Sequence, residues 1–220
     1  MNNLQKMGGI AAMINAAAYV VGFGMAFTLL APILDADPDQ YMTFLVDNQT
    51  LLYVWHLLIY VVAGVFMVPL VLALHERLKV GSPATAQIAA GFGIIWAGLI
   101  IASGMLFLKD IGVVAELYGK DQAQATTVWL TLSAVENALG GGIELPGGLW
   151  VLLVSWVALL AGVLPRTLNY LGVVIGVAGI ITLVPALGEL GGTIFGLGLI
   201  VWFVWVGTVM LRGSKARQHQ

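Results

Sequence analysis

Cysteine is absent from these 220 residues, and charge is scarce: Asp, Glu, Lys and Arg together make up 9%. Without thiols there is no disulfide, no thiolate metal site and no dithiol redox pair, and the redox compartment is left open. Soluble domains carry about a quarter charged residues, so an ordinary soluble domain is excluded. The apolar runs hold no lysine for a Schiff base and no internal arginine for a voltage sensor. Of the three histidines, His75 and His219 sit at polar ends, which excludes a bis-histidine haem and a three-histidine zinc site. A nucleophile elbow, a phosphate loop and a basic nucleic-acid stripe are missing as well. No cofactor, no metal and no nucleic acid are expected.

Apolar sequence is abundant. Hydrophobic residues make up 60% and the mean hydropathy is +0.98. A membrane span takes about 20 apolar residues, and six stretches qualify, at about 8–30, 51–74, 85–108, 145–163, 168–184 and 192–211. The first exceeds the roughly 7–15 residues of a secretory leader's apolar region and reads as a retained span. The expected fold is therefore all-α: a single membrane domain over 1–211 with a short basic tail at 212–220. Pro69 near the end of the second span predicts a kink.

Sidedness comes from the charges. With six spans and the N-terminus inside, Lys6, Arg77, Lys79, Arg166, Arg212, Lys215 and Arg217 fall inside, against Lys109 and Lys120 outside. Every acid except Glu76 falls outside. This obeys the positive-inside rule and puts both termini in the cytoplasm. Gln122–Leu139 has helical amphipathic spacing, with Val128, Leu132, Val135 and Leu139 on one face and Glu136 at its border. Treating it as a full span would throw Arg166 and the basic tail outside. It is expected to be an extra amphipathic or re-entrant helix on the outer face. Between the first two spans, Asp37-Pro38 reads as an N-cap with proline in the first turn. Tyr41, Phe44 and Leu45 would then lie on the membrane surface. Asp35-x-Asp-x-Asp39 is not a calcium loop, because Gln40 and Val46 stand where glycine and glutamate are needed.

Thr131–Trp150 holds two carboxylates, Glu136 and Glu144, among five glycines and a proline, flanked by membrane-length apolar sequence. A carboxylate at bilayer depth is costly and points to function, whereas one at headgroup level is ordinary. His56, about a turn into the second span, could meet either of them at an outer-face cavity. It could equally be an interfacial residue beside Tyr53 and Trp55. Asn137, Trp150 and the intramembrane Asn15 complete the candidate ligand contacts. An intramembrane asparagine most often bonds a neighbouring helix, for about 1 kcal/mol, and the tryptophans read as belt and packing residues.

At Glu136-Asn137, Gly147-Gly148-Leu149-Trp150, Leu164-Pro165-Arg166-Thr167-Leu168-Asn169-Tyr170-Leu171-Gly172 and Trp202-Phe203-Val204-Trp205 the chain resembles the domain of unknown function 4386 family. Those proteins are small, polytopic and bacterial. The resemblance implies a fold type and a cytoplasmic-membrane address, and no activity. The residues themselves favour a non-enzymatic protein. It would bind a small apolar or amphipathic ligand, a lipid or a partner subunit through an outer-face pocket, and its span glycines leave room for self-association. A proton-coupled transporter using Glu136 and His56 is the alternative, and an intramembrane metal-dependent enzyme the second. The absence of native cysteine makes single-cysteine labelling clean. Asp37→Cys is expected to react with an impermeant maleimide in intact cells, and Arg166→Cys only after permeabilisation; both reacting from one side would refute the span count.

Overall fold

The computed structural model describes residues 3–216. Among them every regular element is helical. Helix α1 spans Asn3–Thr28, and α2 spans Pro38–Asp47. The next helix begins as α3 (Gln49–His56), loosens into a π segment at Leu57–Val62 and continues as α4 (Ala63–Leu78). Then come α5 (Pro83–Tyr118) and α6 (Gln122–Glu136), a second π segment at Asn137–Gly141, α7 (Leu145–Ala161), α8 (Arg166–Ile181) and α9 (Gly188–Ala216). Five stretches are long and apolar enough to cross a membrane: Asn3–Thr28, Gln49–Leu78, Pro83–Tyr118, Gln122–Ala161 and Pro185–Arg212. Arg166–Ile181 is a shorter apolar helix.

Packing arranges six helices as a closed ring. Helix α1 packs on α4, α4 on α5, α5 on α7, α7 on α8, α8 on α9, and α9 returns to α1. Neighbours run antiparallel. Gly8 meets Ala73 of α4 while Gly22 meets Ile59 at the other end, and Gly9 meets Leu211 of α9 while Phe23 meets Gly196. Small residues set the spacing, as membrane interfaces require. The closest approach joins α7 to α8. A Cβ at Gly148 would lie 2.7 Å from the Gly176 carbonyl oxygen and 2.8 Å from the Ile180 nitrogen. Gly162, at φ 65°, ends α7 in the left-handed conformation that lets the chain reverse into α8. Arg77 of α4 donates to the Val163 carbonyl in that turn, with Nη2 at 3.1 Å.

The ring's interior is filled by aromatic rings. Trp96 (α5) meets Trp150 (α7) at 5.8 Å and Phe195 (α9) at 5.7 Å; Trp150 meets Trp202 at 5.5 Å, Trp202 meets Phe203, and Phe203 stacks on Tyr19 of α1. Each such pair adds about 0.5–1.5 kcal/mol beyond its burial. The outside of the ring carries apolar side chains such as Val20, Val21, Leu160, Val174 and Leu190, the exterior a lipid-facing bundle needs.

A second core sits at one end. At about 1.5 Å per residue, α5 is about 54 Å long, well beyond the roughly 30 Å of a hydrocarbon core. Its distal half packs against α6 and α2 around Leu30, Met42, Leu45, Leu52, Ile111, Val114 and Ala125.

Here the structure departs from two sequence expectations. Helix α6 packs along α5 and leads into α7 through the second π segment, with a kink at Gly140. Its buried face is Ala125, Val128, Leu132 and Glu136, while Val135 is exposed, because contact with α5 selects the face. The apolar face of α2 is likewise taken by protein: Met42 and Leu45 are buried, and Tyr41 stacks on Trp129 at 4.3 Å. Pro69 lies inside α4, and the π segment upstream adds an irregularity of its own. The Asp37 cap is as expected, with its Oδ1 accepting from the Gln40 N–H at 2.8 Å. The first residues of the expected tail are helical to Ala216, and 217–220 lie outside the described residues.

Gly148→Ala is expected to destabilise the purified protein by about 1–3 kcal/mol, the cost of overpacking. Gly98→Ala, whose new methyl meets open space, is expected to be neutral or to stabilise by up to about 1 kcal/mol. Thermal unfolding in detergent checks both, and equal effects would contradict the proposed α7–α8 contact.

Candidate functional site

Two π segments bracket one level of the fold, and both pack on α5. A Cβ at Gly104 would press on Tyr60 of the first, and one at Gly140, in the second, would lie 3.0 Å from Ile100. Single π turns tend to occur at functional positions. The polar residues of the interior gather around this level in two groups.

Glu144 centres the first group. It is the residue before α7, just past the second π segment, and its carbonyl accepts from Gly148 N–H at 2.8 Å. Its backbone N–H donates to Thr182 Oγ1 at 2.9 Å, and that hydroxyl donates to the Gly179 carbonyl at 2.7 Å. The Trp96 indole N–H donates to Glu144 Oε2 at 3.2 Å. Helices α5, α7 and α8 thus fix this carboxylate together, where the N-terminal dipole of α7 favours negative charge. From across the ring, the phenols of Tyr19 (α1) and Tyr60 lie within electrostatic reach of Glu144. All three residues stay partly accessible. Glu144 thus lies at one end of the aromatic plug, held by the indole of Trp96.

Glu136 centres the second group. It is 2% exposed on the α5-facing side of α6, and its backbone carbonyl accepts from Ser103 Oγ at 3.0 Å. Its side chain pairs with the carboxyl of Asp110 on α5. Asp110 Oδ2 and Glu136 Oε1 are buried with no conventional donor. Two carboxyl groups make this contact when one carries a proton and donates it to the other. Tyr41 is close by; burial and the Glu136 carboxylate push its phenol up to about 12, so it remains a donor at neutral pH.

The residues singled out from sequence separate accordingly. His56 is buried, and its Nδ1 donates to the Leu52 carbonyl at 2.7 Å, leaving Nε2 as the lone-pair nitrogen. It stacks on Phe107 at 4.2 Å and on Tyr60 at 5.9 Å. Tyr60 in turn lies within electrostatic reach of both glutamates, so it links the two groups. Asn137 is exposed, and Trp150 is wholly buried in the aromatic plug. Asn15, at 0% exposure, has neither amide atom hydrogen-bonded, and it stands one turn below Tyr19 on α1.

Asp110, Tyr19, Tyr60, Trp96 and Thr182 went unrecognised in the sequence. The four-residue steps Asn15–Tyr19 and His56–Tyr60 are helical spacings that could have flagged two of them. Nothing local marks Trp96 or Thr182, which reach Glu144 only through tertiary packing.

Asp110→Ala is expected to cost about 1–3 kcal/mol by leaving Glu136 buried and unpaired. Asp110→Asn, which can still donate to Glu136, is expected to stay within about 0.5 kcal/mol of the wild type. Equal losses in thermal unfolding would show that the pair does not form.

Neither a curated protein nor a solved structure matches the chain. Residues 9–207 match the family described as domain of unknown function (DUF4386), and with nearly the whole length covered, from the first ring helix through most of the last, the chain belongs to that family.

Proposed function

We propose that this chain is a non-enzymatic protein of the bacterial cytoplasmic membrane that binds a small amphipathic molecule at the ring mouth around Glu144. In this reading six helices span the bilayer and both termini are cytoplasmic. Three things support it: the six-membered antiparallel ring, the apolar exterior, and the segregation of acids from bases along the chain. Helices α7 and α8, with 17 and 16 residues, are only about 24–26 Å long. In this reading Glu144, at the start of α7, would form the floor of the binding site.

One observation carries the reading: a carboxylate fixed by the Trp96 indole, with its backbone held by Thr182. Ligand sites in membrane bundles and elsewhere combine mostly apolar walls with a few placed polar groups. Trp96, Phe195, Tyr19 and Tyr60 supply the walls, and Glu144 supplies the orienting group. A bound molecule would lie with its polar end at Glu144 and its apolar part between the helix ends.

A second reading, a proton-coupled carrier, is favoured by the Asp110–Glu136 pair, because a proton shared between two carboxyls can be exchanged. It predicts a Glu136-dependent collapse of a pH gradient in proteoliposomes, which a binding protein would not produce.

Native mass spectrometry of protein extracted gently from its own membranes tests the leading reading. A stoichiometric amphiphile is expected on the wild type, with occupancy at least about fivefold lower in Glu144→Gln. Wild-type protein carrying only a heterogeneous lipid envelope, identical in the variant, would refute it.

A further inference from the structure

The bases of the chain collect at one end of the ring. Lys6 lies near the start of α1, Arg77 and Lys79 at the end of α4, Arg166 at the start of α8 and Arg212 near the end of α9. The antiparallel order brings these ends together: Gly9 of α1 meets Leu211 of α9, and Gln5 Nε2 donates to the Ala73 carbonyl of α4. Among the described residues the one acid at this end is Glu76, and it is taken by Lys79 at 2.7 Å. Arg77 is turned to the Val163 carbonyl. Arg212 is exposed and, among the described residues, makes neither an ion pair nor a hydrogen bond.

From this charge a groove of about 480 Å³ runs along the outer face of α9. Val201, Val204, Trp205, Thr208 and Arg212 line it, at the three- and four-residue steps of a single helix face. Val201 and Val204 are exposed and Trp205 is 36% exposed, so this face is turned away from the bundle. The Thr208 hydroxyl donates to the Val204 carbonyl at 2.7 Å, which leaves the lining apolar below the guanidinium. The rise from Val201 to Arg212 is about 16 Å at 1.5 Å per residue. That is close to half of the roughly 30 Å hydrocarbon core, the depth of one leaflet.

An occupant must therefore bring an anion at one end and an apolar chain one leaflet long. A second copy of the chain does not. Two copies related by a twofold axis along the membrane normal put like residues at one depth, so Arg212 would face Arg212. The small residues that α9 offers for helix packing are also already used, Gly198 on Ile175 of α8 and Gly207 on Met13 and Gly9 of α1. A phosphate diester suits a guanidinium, whose fork reaches two of its oxygens at once. An indole two turns deeper suits the boundary between headgroup and chain.

We propose that this groove holds one anionic phospholipid, with its phosphate on Arg212 and an acyl chain along Val204 and Val201. The site is separate from the one at Glu144, which lies at the opposite end of the ring, where α7 begins.

Native mass spectrometry of the full-length protein in detergent tests it. The protein is titrated with palmitoyl-oleoyl phosphatidylglycerol, or with the zwitterionic phosphatidylcholine of the same chains. One tight phosphatidylglycerol is expected on the wild type, at least about fivefold tighter than phosphatidylcholine. Arg212→Gln is expected to abolish that preference. Lys79→Gln, which removes the same charge from the same end but outside the groove, is expected to keep it. Val204→Phe, which fills the groove from an exposed position, is expected to lose the tight site with Arg212 intact. Equal affinity for the two lipids overturns the proposal, and so does a preference that survives Arg212→Gln or falls equally in Lys79→Gln. Displacement of the lipid by glycerol phosphate alone overturns it as well, because a headgroup without chains does not use the groove. A dimer that Val204→Phe dissociates puts a second copy in place of the lipid and overturns it too. The two-lipid comparison on the wild type needs no variant. Glu144→Gln is expected to leave this lipid in place, so the two sites fail separately.

Discussion

A ring of six helices is stable only if its centre is filled. Two or four packed helices close on aliphatic side chains, but six leave an axis too wide for leucine to cross. This bundle meets the constraint with Trp96, Trp150, Trp202, Phe203 and Tyr19, whose rings touch in series from α5 to α1. The plug makes the ring solid in its middle. It also provides the indole that fixes Glu144. Filling the core and positioning the carboxylate are thus one event.

The glycines are the other half of that geometry. Opposite sides of the ring are held apart by indoles, while neighbouring helices are drawn together until backbones touch. Gly148, Gly176 and Gly179 let α7 and α8 meet with almost no side chain between them. That tight pair is also the shortest in the ring. One end of it carries Glu144 and Thr182, one at the start of α7 and the other at the end of α8, and the hydrogen bond between them locks the pair's end.

Beyond the ring, the distal half of α5 supports α6 and α2 and encloses the Asp110–Glu136 pair. The two π segments stand where ring meets arm. Asn15, Ser155 and Trp202 Nε1 add buried polar atoms without partners deeper in the bundle. They lower the apolar character of a core that lipid-facing helices would otherwise make uniformly dry.

Composition was enough to read the class of the protein and its apolar helices, and the resemblance at its motifs was enough to read the family. The length of each apolar run is set by bilayer thickness, a property no neighbouring helix alters. The Asp37 cap is likewise local, because cap chemistry acts over three or four residues. Glu136 and Glu144 stood out for the same reason: a carboxylate beside membrane-length apolar sequence is conspicuous wherever the chain goes. The groups they face were decided only by tertiary structure. The partners of Glu144 come from residues 96 and 182, and that of Glu136 from residue 110, all brought near by the antiparallel order of the ring. Trp150 and Asn137 changed standing for the same reason. Helices that are apolar on every side carry no periodic signal of which face turns inward, so ring closure and its aromatic plug had to assign the faces.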